Sequence, residues 1–231
     1  MINKIQRRLR RGYYFWQGSF RPQVDQLLRS KAKMIGTTYG GWCVLPEMLN
    51  DQSLVYSVGL GKDITFDLGI IERFNATVFG FDPTAHSVKY IDSLTLPKNF
   101  HFCKYGLAAT DGDLQLFAPT QGNVSHTIVS TQEQQQQISI PVKRLGTIMS
   151  ELGHSSLDVL KMDIEGCEYE VLDDLLASDI RPPQLLVEFH HKVLKMGLSQ
   201  TKSYYDRLID DGYRLFYLSD NGNEFCFCRT D

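Results

Sequence analysis

From residue 54 onward the chain alternates short apolar runs with amphipathic stretches, so that 54–58, 64–74, 77–81 and 84–91 read as strand, helix, strand and helix. Short apolar runs bounded by glycine, proline or asparagine suit buried strands, and apolar spacings of three and four suit helices lying on them. That alternation predicts a parallel sheet covered by helices. The middle changes character. β-prone runs at 100–103, 114–117, 125–130 and 138–142, separated by Asp111-Gly112 and Gln121-Gly122, predict hairpin strands inserted beside the sheet, and the glutamine tract 134–137 predicts a loop. Alternation resumes with helix 145–152, strand 157–162, helix 167–176 and strand 185–189, the last opening sharply after Pro182-Pro183, which no helix passes through. A helix over 202–210 precedes strands 213–218 and 224–228, which flank the turn Ser219-Asp220-Asn221-Gly222 and predict an antiparallel hairpin. Near the start, Pro22 followed by Val24, Leu27, Leu28 and Met34 predicts a helix beginning at the proline and ended by Gly36, Gly40 and Gly41. The expected class is α/β: a mostly parallel seven-stranded sheet with a C-terminal antiparallel hairpin and a small β insertion.

Composition narrows the setting. The 231 residues are 42% hydrophobic and 22% charged, and no apolar run approaches the roughly 18 to 20 residues of a membrane span, so no transmembrane segment is expected. The five cysteines are scattered without C-x-x-C pairs, which predicts a reducing, cytoplasmic location. The first residues also lack the apolar stretch and small-residue cleavage site of a secretory signal. The net charge of −3 hides an asymmetry, since residues 1–33 hold nine Lys/Arg against the single Asp25. That basic, amphipathic start reads as an arm folded over the body, with contact to an acidic membrane surface or nucleic acid as the alternative.

Four constellations carry candidate chemistry. In Val58-Gly59-Leu60-Gly61-Lys62-Asp63 a strand runs into a glycine turn and then a helix, letting backbone pass close to a ligand. As a nicotinamide fingerprint it fails, because Ile64 stands where the third glycine belongs. In Phe81-Asp82-Pro83 an acid ends the next strand, where a carboxylate accepts ribose hydroxyls of an adenosine cofactor or, more plainly, caps the helix that follows. In Lys161-Met162-Asp163-Ile164-Glu165-Gly166-Cys167-Glu168, Asp163 and Glu165 fall on a strand-to-helix turn at the edge of the expected ligand crevice, with helix N-terminal charge as the plainer reading. In Glu188-Phe189-His190-His191, either histidine is a candidate general base, His190 first and His191 second, since an imidazole titrates near about 6.5. Strand alternation puts Glu188 and His190 on one face. With Asp163 and Glu165 opposite, a metal held by oxygen and nitrogen is one reading and a hydrogen-bonded network shaping the pocket the other; no metal ligands are assigned from the sequence.

The run from Lys161 to Glu168 closely resembles the K-[IM]-D-[IV]-E-G-x-E hallmark of FkbM-type methyltransferases. Tyr56 to Gly61 with Asp63, the Phe81-Asp82-Pro83-Thr84 turn, Gly106-Leu107, the stretch 142–145 and Glu188-Phe189-His190 extend the resemblance. The chain departs at Ser57, where many members carry an acid, and at Gly61 and Asp63, where many carry Asn and Gly; a branch with a G-x-G-x-D loop matches it better. The resemblance implies a class I methyltransferase (Rossmann-like) fold, S-adenosyl-L-methionine as donor, and a hydroxyl on a sugar or other natural product as acceptor. It implies that Gly59, Leu60, Gly61, Asp63, Asp82, Pro83, Leu107 and Asp163 border the cofactor, and that Asp163, Glu165, His190 and His191 border the reaction. Residues 1–35 then read as a basic arm and helix, and 36–231 as the catalytic domain. The rival readings are a nicotinamide oxidoreductase and a non-catalytic module that binds a membrane or nucleic acid through its arm.

Overall fold

The computed structural model describes residues 20–117, 137–191 and 197–230. The basic arm over residues 1–18, the run 125–130 and most of the glutamine tract therefore lie outside the described residues. The described elements are α1 (Gln26–Lys31), β1 (Lys33–Ile35), β2 (Trp42–Val44), β3 (Leu54–Val58), α2 (Thr65–Phe74), β4 (Thr77–Phe81), α3 (Ala85–Ile91), β5 (Phe100–Cys103), β6 (Gly106–Leu107), β7 (Gly112–Phe117), β8 (Gln137–Lys143), α4 (Leu145–Leu152), β9 (Val159–Met162), α5 (Glu168–Ala177), β10 (Gln184–Glu188), α6 (Gly197–Asp210), β11 (Arg214–Leu218) and β12 (Glu224–Cys228). Seven strands form the main sheet in the order β11-β12-β10-β9-β3-β4-β5. The pairs from β10 through β5 are parallel, and β12 runs antiparallel to both of its neighbours. This is the class I methyltransferase arrangement that the alternating pattern predicts.

Because side chains alternate across a strand, each inner strand feeds two cores. Tyr56, Val58, Leu160, Met162, Leu185 and Val187 face α4, α5 and α6 through Ile148, Leu172 and Leu208. Val55, Val159 and Leu186 face the other way, toward Phe66, Ile70 and Trp42. From β3 the chain winds outward through β4 and β5, then returns to lay β9 and β10 on the opposite side of β3. The β3/β9 boundary is thus the topological switch point, where an open sheet leaves a crevice at the carboxyl ends of its strands.

Three local expectations need correction. Residues 100–103 are not part of an inserted hairpin: they form β5, the parallel edge of the main sheet, with Val78 opposite Phe100. The insertion is a three-stranded sheet ordered β6-β8-β7. The first helix starts at Gln26 rather than Pro22, because Phe20 is buried against Tyr205 and Phe225 and the Asp25 amide donates to the Leu215 carbonyl, which keeps the chain extended. Asp25 then caps α1 by accepting from the Leu28 amide at 3.0 Å. Met34 belongs to β1, which pairs with β2, and Gly36, Gly40 and Gly41 serve the connection between these two strands. The helix expected over 202–210 also begins earlier, at Gly197.

This N-terminal hairpin is tied to the sheet by one fully buried amide. Gln184 on β10 accepts from the Leu45 amide at 2.7 Å and donates to the Leu45 carbonyl at 3.3 Å. Gln184→Leu removes both partners from buried backbone groups, so it should lower unfolding stability by about 1–3 kcal/mol. In urea the midpoint should fall with little change in slope; an unchanged midpoint would show that the tie is dispensable.

Candidate active site

At the switch point two turns touch. Gly59 leaves β3 with φ +79, and its amide donates to the Phe81 carbonyl at 3.0 Å. A Cβ added at Gly59 would stand 1.7 Å from the Asp163 carbonyl oxygen. Only glycine admits both that φ and that approach. The Asp163 amide in turn donates to the Val58 carbonyl at 3.1 Å. Beneath the turn Lys161, 5% exposed, donates from Nζ to the carbonyls of Val58 and Gly59 at 3.1 and 2.6 Å and lies over the Trp42 ring. On the same side of the sheet, lost hydration pushes the buried Asp67 carboxyl up to about 6, against the attraction of Lys161.

Asp82 clamps the turn from the side. Its Oδ2 accepts from the Leu60 and Gly61 amides at 3.1 and 3.0 Å, and its Oδ1 from the Thr84 amide and hydroxyl at 2.9 and 2.5 Å. A carboxylate offers about four lone-pair sites, so the protein itself engages both oxygens. Asp63 likewise acts on the protein. It accepts from the Thr65 amide and hydroxyl and from the Thr37 hydroxyl, joining the start of α2 to the β1–β2 connection. Burial opposes ionisation of Asp63, but these hydrogen bonds outweigh it and hold the carboxyl below its usual range. Pro83 packs within 3.6 Å of where a Cβ at Gly106 would stand, and Leu107 beside it is 3% exposed in the core cluster that holds Phe81.

Across the crevice, the turn after β9 gathers acids around one imidazole. Glu165 adopts φ +53 and Gly166 φ +119, a sharp reversal before α5. Glu168, with 0% exposure, accepts through Oε1 from the Ile164 and Gly166 amides at 3.3 and 3.2 Å. The same oxygen lies 2.7 Å from His190 Nδ1. His190 Nε2 is then 3.2 Å from Glu165 Oε2 and 3.8 Å from Asp163 Oδ1. Burial pulls the imidazole pKa down, but the Glu168 hydrogen bond and the charges of Glu168, Glu165 and Asp163 override it and push it up to about 10. Lost hydration and the charges of Asp163 and Glu224 raise Glu188 well above the carboxylate range. Asp163 is raised too, by lost hydration against the pull of Lys161 and His190. The acids thus meet His190; His191 is buried to 1% exposure.

A family model described as a methyltransferase domain matches residues 7–227. This chain belongs to that methyltransferase-domain family. It is 29% identical to the human protein "Probable methyltransferase-like protein 24" over 147 residues, which are 62% of this chain and 34% of that protein. The rat protein of the same name is 30% identical over 141 residues, 60% of this chain and 33% of the relative. The match therefore covers about a third of the length of these relatives. A methyltransferase domain is what the glycine turn and the hallmark run together predict.

In this methyltransferase domain two important side chains escaped the sequence reading. Lys161 was read only as part of a motif, although a lone cation between Leu160 and Met162 in a buried strand is itself a signal, since buried charges need partners. Glu168 was read as a motif letter, while the structure makes it both the internal brace of the turn and the holder of His190.

Two outcomes follow from this geometry. Gly59→Ala should be strongly destabilising, by more than the roughly 1–2 kcal/mol that Gly61→Ala costs through φ +57 alone, because nothing stands within 4 Å of a Cβ at Gly61. Equal urea midpoints for the two variants would contradict the contact with Asp163. In chelator-treated protein, NMR should show the His190 ring protonated through neutral pH and titrating near 10. Unfolded histidine titrates near 6.5, so the stability this contributes is fully present below that pH and is lost as pH rises through about 10. Glu168→Gln should lower the ring pKa and flatten that dependence; a wild-type ring titrating near 6.5 would show that the carboxylates do not hold its proton.

Proposed function

We propose that this domain transfers the methyl group of S-adenosyl-L-methionine to a hydroxyl of a small-molecule acceptor, a sugar or another natural product, as FkbM-type enzymes do. The observation that carries this reading is the juxtaposition of an open glycine turn with the Asp163, Glu165 and His190 cluster across the switch-point crevice. The turn fits the donor: a Cβ at Gly61 would face open space, which leaves room for a ligand against the backbone. When bound, the donor supplies a methyl already activated on a sulfonium, so the protein has chiefly to position two reactants and exclude water.

In this reading Gly59, Leu60 and Gly61 form the floor under the donor. Asp82 keeps that floor in shape beside the ribose by holding the Leu60 and Gly61 amides. Leu107 and Pro83 border the adenine, and Asp163 borders the transferred methyl. The acceptor hydroxyl lies against Asp163, Glu165 and His190; the imidazolium orients it and a carboxylate of the cluster receives its proton. Five unpaired cysteines suit a reducing, cytoplasmic setting for this chemistry. Among the described residues no helix is long and apolar enough to cross a membrane.

Calorimetry should show S-adenosylmethionine and S-adenosylhomocysteine binding, with no binding of NAD. Asp82→Ala should weaken both by roughly 1.5–3 kcal/mol, because the Leu60 and Gly61 amides lose the charged acceptor that shapes the floor. Deleting residues 1–18 should leave donor affinity unchanged; the cut stops short of Phe20 because that ring is built into the core. His190→Ala should keep donor affinity yet lose methyl transfer by about 10²-fold, because the ring that orients the acceptor and gathers the carboxylates is gone. Full turnover by a folded His190→Ala protein, or donor affinity unaltered in Asp82→Ala, would remove those residues from the site.

A further inference from the structure

We infer that Asp163, Glu165 and His190 form an open, three-ligand site for a divalent transition-metal ion, with Glu168 as the support of the imidazole. One donor atom from each residue lies within 4.8 Å of the other two. Donors about 2.1 Å from a common ion stand about 3.0 Å apart at a right angle and about 3.4 Å apart at the tetrahedral angle. The 3.2 Å from His190 Nε2 to Glu165 lies between those values, and the 3.8 Å to Asp163 lies about 0.4 Å beyond the larger.

The imidazole is what distinguishes this from a patch of acids. A histidine that binds a metal through one ring nitrogen characteristically gives the other to a carboxylate, which fixes the ring and its tautomer. Here Glu168, fully buried and anchored by two turn amides, holds Nδ1 at 2.7 Å and leaves Nε2 aimed at both acids. The second oxygen of Glu168 is buried with no hydrogen-bond partner, and three carboxylates, those of Asp163, Glu165 and Glu168, surround the single imidazole. Two further acids, Glu188 and Glu224, stand opposite each other on β10 and β12. A divalent ion at Nε2 takes the place of the proton there and offsets the charge of the surrounding carboxylates.

The ligand types choose among ions. Two carboxylates with one imidazole suit Mn2+, Fe2+ or Zn2+ better than Ca2+, which prefers oxygen alone. Asp163 and Glu165 are 32% and 30% exposed at their side chains and His190 is 11% exposed, so the remaining coordination positions face the crevice. There an ion would bind water or an acceptor oxygen and make its proton easier to remove. The site itself does not depend on the proposed methyl transfer, and its test uses the metal alone.

The full chain, stripped with chelator, is titrated with Mn2+ and followed by electron paramagnetic resonance. The expected result is one saturable site per chain, with pulsed spectra showing nitrogen coupling from a directly bound imidazole. His190→Ala should remove that coupling and weaken binding at least tenfold, and Glu168→Gln should weaken it by about 10-fold to 100-fold while the three ligands remain. Circular dichroism checks that each variant is folded. Absence of saturable binding to the wild type overturns the proposal. So does saturable binding without nitrogen coupling, which would mark a simple acidic patch, and this wild-type readout decides the matter even where a variant fails to fold.

Discussion

The carboxyl edge of this sheet is organised by how closely the turn after β3 passes the turn after β9. The Asp163 carbonyl occupies the space where any side chain at position 59 would go. That contact fixes the depth of the crevice floor and sets the direction in which the Asp163 side chain leaves the strand. Three other groups keep the approach from opening. Lys161 pulls on the Val58 and Gly59 carbonyls from beneath. Asp82 gathers the next two amides, and the Gly59 amide is bound to the end of β4. Carbonyls are met on one side and amides on the other, so the turn's backbone is satisfied by groups that also determine its shape.

The same edge concentrates charge that a stable core would avoid. A buried lysine, a buried aspartate and a fully buried glutamate all lie within the two turns or directly beneath them. Each is tolerated because it binds several backbone groups or an opposite charge, which is the condition for burying an ion at modest cost. Away from the edge the inner strands are largely apolar on both faces and are held by backbone pairing and packing. Precision at the site thus comes from a polar scaffold mounted on a rigid apolar one.

Much of this was legible in the sequence because its signals are local. The inner strands and helices declare themselves by period, and the hallmark run places Asp163 and Glu165 on one turn. What escaped was long-range. Nothing in residues 100–103 says whether they pair with β4 or with the insertion, since a parallel partner is chosen by the sheet's order rather than by neighbouring residues. The β1–β2 pair is three residues a side and sits where an apolar run after Pro22 mimics a helix. Asp82 was identified by position, yet only the fold shows that its oxygens are engaged by Leu60, Gly61 and Thr84. Strand alternation puts His190 on the face of Glu188, but the carboxylate that meets its ring, Glu168, comes from another element.

Glu165 holds a left-handed backbone without being glycine, and beside Asn75 it is the one such residue among those described. Asparagine tolerates that region through its short side chain, whereas glutamate gains nothing there and forgoes roughly 1–2 kcal/mol that glycine would recover. Folding alone would therefore favour glycine at position 165. On the proposed reading, the carboxylate at this position trades stability for activity. Selection for thermal resistance alone would drift toward glycine at this position and erode the site while leaving the fold intact.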